Sequence, residues 1–232
     1  LTGTPPADNT GPVTVPVTVS DGKGGVTIVN VVISPTNPAP TAVTDSYAAT
    51  EGGPAIALAP LTADSDPDTD ALTVTSINGT PLTPGTVQII PVTGGTVNVT
   101  AAGVISFTPA PGFTGPVIFP YVITDIDGAT STANQEITVN AKPVVADPNP
   151  APGTPTVVPP TATSPAVIQV PAVDNVPLTL PLTSYLSDPN GDPLTVVPDL
   201  TAAPWLSYDP ATGVLTGTPP ADNTGPVTVP VT

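Results

Sequence analysis

Apolar side chains occupy every second position over much of the chain. Val13, Val15, Val17 and Val19 are separated by Thr14, Pro16 and Thr18, the period-two pattern of a strand with one buried face. Between residues 42 and 141 the same alternation predicts strands near Ala55 to Leu58, Ala71 to Ile77, Val87 to Val92, Thr96 to Thr100, Val104 to Phe107, Val117 to Thr124 and Asn134 to Val139. Turn residues separate each pair, and apolar residues nowhere repeat at the helical period of about 3.6. The core of this segment draws on Ile56, Leu58, Leu72, Val74, Ile105, Phe107, Phe119, Tyr121 and Ile123. Pro16 and Pro120 interrupt strand patterns, which predicts edge positions or bulges.

About seven strands in about 100 residues are the pattern of an immunoglobulin-like β-sandwich. Internal repeats show how many sandwiches there are. Residues 1–18 return unchanged as residues 215–232, a period of 214 residues. This predicts that the chain is one period plus an overlap, continued in both directions in its parent. Inside the period, Gly103 to Val122 matches Gly213 to Thr232 without gaps at nine of twenty positions, and Ser65 to Val74 matches Ser187 to Val196 at seven of ten. Each period therefore carries two domains of one fold. In this register residues 1–35 are the C-terminal part of one domain and 42–141 a complete second. Residues 142–163 form a Pro-rich linker, and 164–232 are the N-terminal part of a third domain that repeats the first. The fold class is all-β, tandem Greek-key sandwiches joined by linkers whose prolines favour extended, semi-rigid chain.

Composition narrows the chemistry. With 37 Pro and 20 Gly, disorder competes with order, and the alternation decides for strands outside the linkers. The chain contains no His, Cys, Met or Arg, which removes imidazole bases, thiolate nucleophiles and soft metal ligands, so catalysis is not expected. A net charge of −16, with Lys23 and Lys142 as the only cationic side chains, disfavours nucleic acid as a partner. No apolar run is long enough to span a bilayer.

What chemistry remains lies in aspartates. Asp64, Asp66, Asp68 and Asp70 alternate in ADSDPDTD, and Asp188, Asn190 and Asp192 hold the matching places in SDPNGDP. In extended chain this spacing aims carboxylates at one face, where they repel one another unless a cation lies between them. Calcium, which takes six to eight oxygen ligands, suits such a set. The repeat adds Asp125, aligned with Asp21, in the turns TDIDG and SDGKG; Asp127 joins the first, whereas Lys23 stands opposite it in the second. The competing reading is that these aspartates only build Asx-turns. Trp205 is expected to pack in or near the core.

The strings PLTLPLTSYLSDPNGDPLTVV, APWLSYDPATGVLTGTPPADNTG and VTVSDGKGGVTIVNVVI resemble the dystroglycan-type cadherin-like family. DSYAATEGG, ADSDPDTDALTVTSI and GVISFTPAPGFTGPVIFPYVITDIDGATSTA resemble the cadherin-like repeats of large bacterial adhesins and biofilm matrix proteins. The resemblance implies Ca2+ near a domain junction, with Glu51 contributing from the first strand region. It also implies a secreted or cell-surface spacer within an adhesive stalk or filament. A glycan- or protein-binding adhesion module is the alternative, disfavoured by aromatics at 3%. Residues 164–232 carry the sandwich only up to a strand at Val227. The strand Val19 to Ile33 of the other copy supplies the rest, through continuation of the chain, which the identical overlap favours, or through head-to-tail donation by another copy.

Overall fold

A computed structural model describes residues 2–3, 11–146, 148, 154–161, 164–221 and 225–231. Much of the linker, and part of each copy of the repeated 18-residue segment, lie outside them. The described residues contain strands and one short 3-10 turn but no α-helix, so the all-β class holds. The chain divides into two compact units, residues 1–140 and 141–232.

The first unit opens with a hairpin of β1 (Val13–Ser20) and β2 (Val26–Ile33), paired antiparallel from Val13↔Ile33 to Ser20↔Val26. One face carries Val13, Val15, Val17, Val19, Val29, Val31 and Ile33. The other mixes Thr14, Pro16 and Thr18 with Val26, Ile28 and Val32. The sandwich follows, built from β3 (Asp45–Thr50), β4 (Ile56–Leu58), β5 (Thr73–Ile77), β6 (Thr80–Pro81), β7 (Gln88–Val92), β8 (Gly95–Val99), β9 (Ile105–Pro109), β10 (Gly115–Thr124) and β11 (Thr130–Asn140). One sheet has the order β3-β11-β10-β5-β6, the other β4-β9-β8-β7.

Alternation explains the core. In β10 Val117, Phe119, Tyr121 and Ile123 are buried while Ile118 and Pro120 face outward. They meet Ile105 and Phe107 of β9, Val97 and Val99 of β8, and Ile137 and Val139 of β11. Gly95 is required where it stands, because a Cβ there would run into the Phe107 ring and the Thr108 carbonyl. Pro120 lies in an interior strand, not at an edge. Its carbonyl accepts the Asn78 N–H at 2.8 Å, so its nitrogen faces the point where β5 has already turned away. The lost N–H removes no ladder bond there. An irregularity of the kind expected of a bulge lies two residues on, a register shift between Val122 and Ile123.

The strand β3, not among those the alternation predicts, pairs parallel with β11, from Asp45↔Gln135 to Thr50↔Asn140. Gln135 is buried and donates to Asp45 Oδ2 at 2.7 Å, which makes a polar residue acceptable at this position. The parallel pairing also fixes the path of the chain, which comes in at one end of the sheet and leaves at the other.

The second unit contains β12 (Val144–Val145), β13 (Thr156–Val158), β14 (Val167–Gln169), β15 (Leu178–Pro181), the 3-10 turn Leu182–Tyr185, β16 (Leu186–Ser187), β17 (Leu206–Asp209) and β18 (Val214–Gly217). Its sheet β15-β18-β17 copies β4-β9-β8 in order and direction. The buried cluster is small, Leu180, Leu182, Tyr185 and Leu215, and Trp205 is half-buried. The strand predicted at Val227 is not formed. Residues 226–230 have no assigned secondary structure, and Val231 makes an isolated bridge with Pro198. The same residues are a strand in the first unit, where β2 lies beside them. Strand structure here depends on the partner and not on local propensity alone.

The Tyr121 hydroxyl lies 2.8 Å from Val43 O, 3.2 Å from Pro60 O and 2.9 and 3.0 Å from the Asp64 carboxylate oxygens. Asp64 in turn accepts the Val43 N–H at 2.7 Å. Core sheet, incoming chain and aspartate loop are thus locked together. Tyr121→Phe is expected to lower unfolding free energy by about 1–3 kcal/mol, because it strips a partner from half-buried acceptors. Urea denaturation checks this, and an unchanged midpoint would show that the loop is held without the hydroxyl.

Candidate metal centre

The aspartate loop between β4 and β5 carries the predicted alternation into three dimensions. Asp64, Asp66, Asp68 and Asp70 are half-buried while Ser65, Pro67 and Thr69 are exposed. One Asp66 oxygen accepts the N–H groups of Asp68 at 3.0 Å and Asp70 at 3.3 Å, a local turn that closes the loop on itself. That turn brings carboxylate oxygens of Asp66, Asp68 and Asp70 within 4.8 Å of one another.

The turn demands an unusual backbone. Thr69 has φ +72°, a left-handed conformation that a β-branched residue adopts at a cost. The matching place in the second unit is Gly191, φ +82°, for which the conformation is free of strain. Only the carboxylate-rich loop forces a β-branched side chain into it.

Electrostatics shows that this arrangement is unbalanced. The hydrogen bond to Asp66, then desolvation and the negative charges of Asp66 and Asp70, push the Asp68 carboxyl up to about 6. Asp66 is shifted downward, first by the hydrogen bond from Asp68. Below about pH 6 one proton therefore takes the place of a cation between the two. When both are ionised, Asp66 Oδ2 and Asp68 Oδ1 are buried without a hydrogen-bond partner, a condition that a hard divalent cation relieves. The donor set fits calcium: all oxygen, on a bent loop, with several negative charges.

Asp125 comes to the same end of the sheet. It follows Thr124, which pairs with Thr73 three residues beyond Asp70. It is buried at 6% exposure, accepts the Ala129 N–H at 2.8 Å and receives Asn37 Nδ2 at 2.8 Å. The Asn37 Oδ1 atom is buried with no hydrogen-bond partner. Asn37 was not legible as a site residue, because it lies in SPTNPAP, a stretch that composition marks as linker. Its place just before the first strand of the sandwich is the signal that could have found it.

The remaining candidates are placed elsewhere. Asp127 is exposed at the tip of the β10–β11 turn. Glu51 donates its N–H to Asn140 O at 2.8 Å and so stands at the far end of β11, roughly 30 Å along the strand from Thr130 at about 3.3 Å per residue. Asp21 is exposed in the β1–β2 turn and accepts the N–H groups of Lys23 at 2.8 Å and Gly25 at 2.9 Å, which lower its pKa. This matches the Asx-turn reading. Asp188 repeats the role of Asp66, accepting the N–H groups of Asn190 at 2.8 Å and Asp192 at 3.2 Å. There Asn190 replaces Asp68, and its Oδ1 accepts the Ala141 N–H at 2.8 Å. Among the described residues Asp66, Asp68 and Asp70 are the one group of three carboxylates close enough to share an ion.

A family comparison agrees with the β-sandwich architecture. Residues 37–138 match the family model described as a bacterial Ig domain. No curated protein matches the chain. Among solved structures, the chain is similar to a nucleoside hydrolase-related hypothetical protein from Saccharophagus degradans associated with carbohydrate metabolism, at 19% identity, with 44% of this chain and 26% of that one covered and a TM-score of 0.29. It is also similar to mouse clustered PcdhgC3 EC1-3, at 13% identity, 95% and 70% coverage and a TM-score of 0.33. Drosophila N-cadherin EC1-4 gives 10%, 88% and 50% coverage, and 0.29. The chain thus spans about a quarter of the first of these proteins.

Two outcomes follow from the shared proton and the strained turn. The raised Asp68 pKa adds stability that is full below the ordinary value of 3.8 and lost as pH rises through about 6; the lowered Asp66 pKa acts oppositely, adding stability that is lost as pH falls through its own value. In chelator, the melting temperature of the sandwich is expected to fall across that Asp68 window, and in Asp68→Asn the fall should vanish; a wild-type profile flat through this range would refute the shared proton. Thr69→Gly is expected to stabilise the sandwich by about 1 kcal/mol through relief of the left-handed conformation, read by chemical denaturation, with destabilisation contradicting the assignment of strain.

Proposed function

Starting from residues 37–138 as a domain of the bacterial Ig family, we propose that the chain is a non-catalytic spacer of a long extracellular bacterial surface or matrix protein, and that calcium stiffens it. The observation that carries this reading is the grouping of Asp66, Asp68 and Asp70 on the loop whose Ser65 pairs with Thr41 of the incoming chain. An ion held there would brace that loop, and through the Thr41–Ser65 pairing the incoming chain. It would reduce the freedom of the joint between successive domains.

Sequence features support the same reading. An 18-residue segment that returns unchanged after 214 residues suits a part whose role is length. Prolines keep the connecting segments extended. The absence of His and Cys from the sequence leaves little catalytic apparatus. No helix among the described residues is long and apolar enough to cross a membrane. Asp66, Asp68 and Asp70 would supply oxygen ligands, and Asp64 and Tyr121 would hold the loop in place.

Small-angle scattering tests the proposal. With calcium the chain is expected to give a narrower distribution of interatomic distances and a longer maximum dimension than in chelator, and Asp66→Asn with Asp68→Asn should make the two curves alike. Superimposable wild-type curves with and without calcium would overturn the stiffening role.

A further inference from the structure

Two asparagines in the sequence are followed by glycine, Asn78 and Asn190. In that pairing the next peptide nitrogen carries no neighbouring Cβ to block its approach to the side-chain carbonyl carbon. Both asparagines lie exposed in turns, but the fold holds them in opposite ways. Asn78, at φ +47°, and Gly79, at φ +73°, are the two central residues of the turn that joins β5 to β6. The Asn78 N–H donates to Pro120 O at 2.8 Å, and its Nδ2 donates to Pro91 O at 3.0 Å. The side-chain nitrogen is thus the bonded atom. Asn190 presents the other end of its amide. Its Oδ1 accepts the N–H of Ala141, a residue only 1% exposed, at 2.8 Å, and an N–H partner fixes the oxygen at that place. Its own N–H donates to Asp188 Oδ1 at 2.8 Å.

We propose that Asn190 is a site of spontaneous deamidation, in which the Ala141 N–H polarises the side-chain carbonyl for attack by the Gly191 nitrogen. Gly191 N bonds to Asn190 Cγ, and the negative charge that develops on Oδ1 is met by the Ala141 N–H, as a donor aimed at an oxyanion acts in acyl transfer. The Cγ–Nδ2 bond then breaks, and ammonia leaves with the former Gly191 amide proton. Water opens the resulting cyclic imide at either carbonyl, giving aspartate or isoaspartate, and nothing is oxidised or reduced. The Gly191 N–H donates to Asp188 O at 3.0 Å, so the reaction waits on the opening of one bond in an exposed turn, which costs little. At Asn78 the same attack has to pull the leaving nitrogen from Pro91 and undo a hairpin turn.

The product alters the loop. Asn190 stands where Asp68 stands in the middle domain, and Asp188 builds its turn as Asp66 does. The aspartate product therefore gives this loop a third carboxylate, in the spacing of Asp66, Asp68 and Asp70. The modification stands on the geometry of Asn190 alone, and only its bearing on calcium rests on the spacer reading.

Peptide mass spectrometry on the 232-residue chain, incubated in chelator at mildly alkaline pH with and without urea, tests this. Without urea Asn190 is expected to lose ammonia about tenfold faster than Asn78, less than the roughly 100-fold that one such donor supplies in an enclosed site. In urea, where neither contact survives, the two rates should converge. Gly191→Ala should keep the Asn190 amide intact under both conditions, and the Cβ it adds meets no neighbour. Native rates that are equal, or higher at Asn78, overturn the proposal, as does an excess at Asn190 that persists unchanged in urea. No calcium enters the measurement, so stiffening by calcium stands or falls separately.

Discussion

Mutual repulsion among three carboxylates, held on one face by a turn that one of them builds, is the constraint around which the middle domain is organised. Asp66 closes the turn with its own side chain, and in doing so draws Asp68 and Asp70 to itself. Below about pH 6 a proton on Asp68 relieves the repulsion. A divalent cation answers it better, because it satisfies several oxygens at once and keeps every carboxylate ionised.

The rest of the domain supports that loop. Tyr121, at the centre of the core, reaches Asp64 and Val43 with its hydroxyl. The loop is thereby fastened to the buried sheet on one side and to the incoming chain on the other. Asn37 and Asp125 add a second tie at the same end. Interior packing, loop geometry and the path of the incoming chain are linked by these hydrogen bonds. The second unit shows what the loop becomes without the third carboxylate. Gly191 relaxes the backbone, and Asn190 turns its oxygen to the Ala141 N–H.

Much of this was legible from alternation. The period-two runs located β4, β5 and β7 to β11 to within a few residues, and the spacing of Asp64 to Asp70 gave the shared face. Other features depend on partners distant in sequence. The strand β3 is short and polar, and it is fixed by its parallel pairing with β11, where the buried Gln135 donates to Asp45. Pro120 reads as an edge or bulge residue until the departure of β5 at Asn78 is known. The segment at Val227 has the sequence of a strand and lacks its ladder because pairing, not propensity, makes a strand. Asp21 and Asp125 occupy equivalent turns, yet one is exposed and the other is buried and receives Asn37.

The most direct test is a calorimetric titration of calcium into the chelator-treated chain at neutral pH. The account requires at least one ion bound per chain with release of less than one proton, and loss of that binding when Asp66 and Asp68 are both replaced by Asn. A titration that shows no binding, or binding that survives those two substitutions, would contradict it.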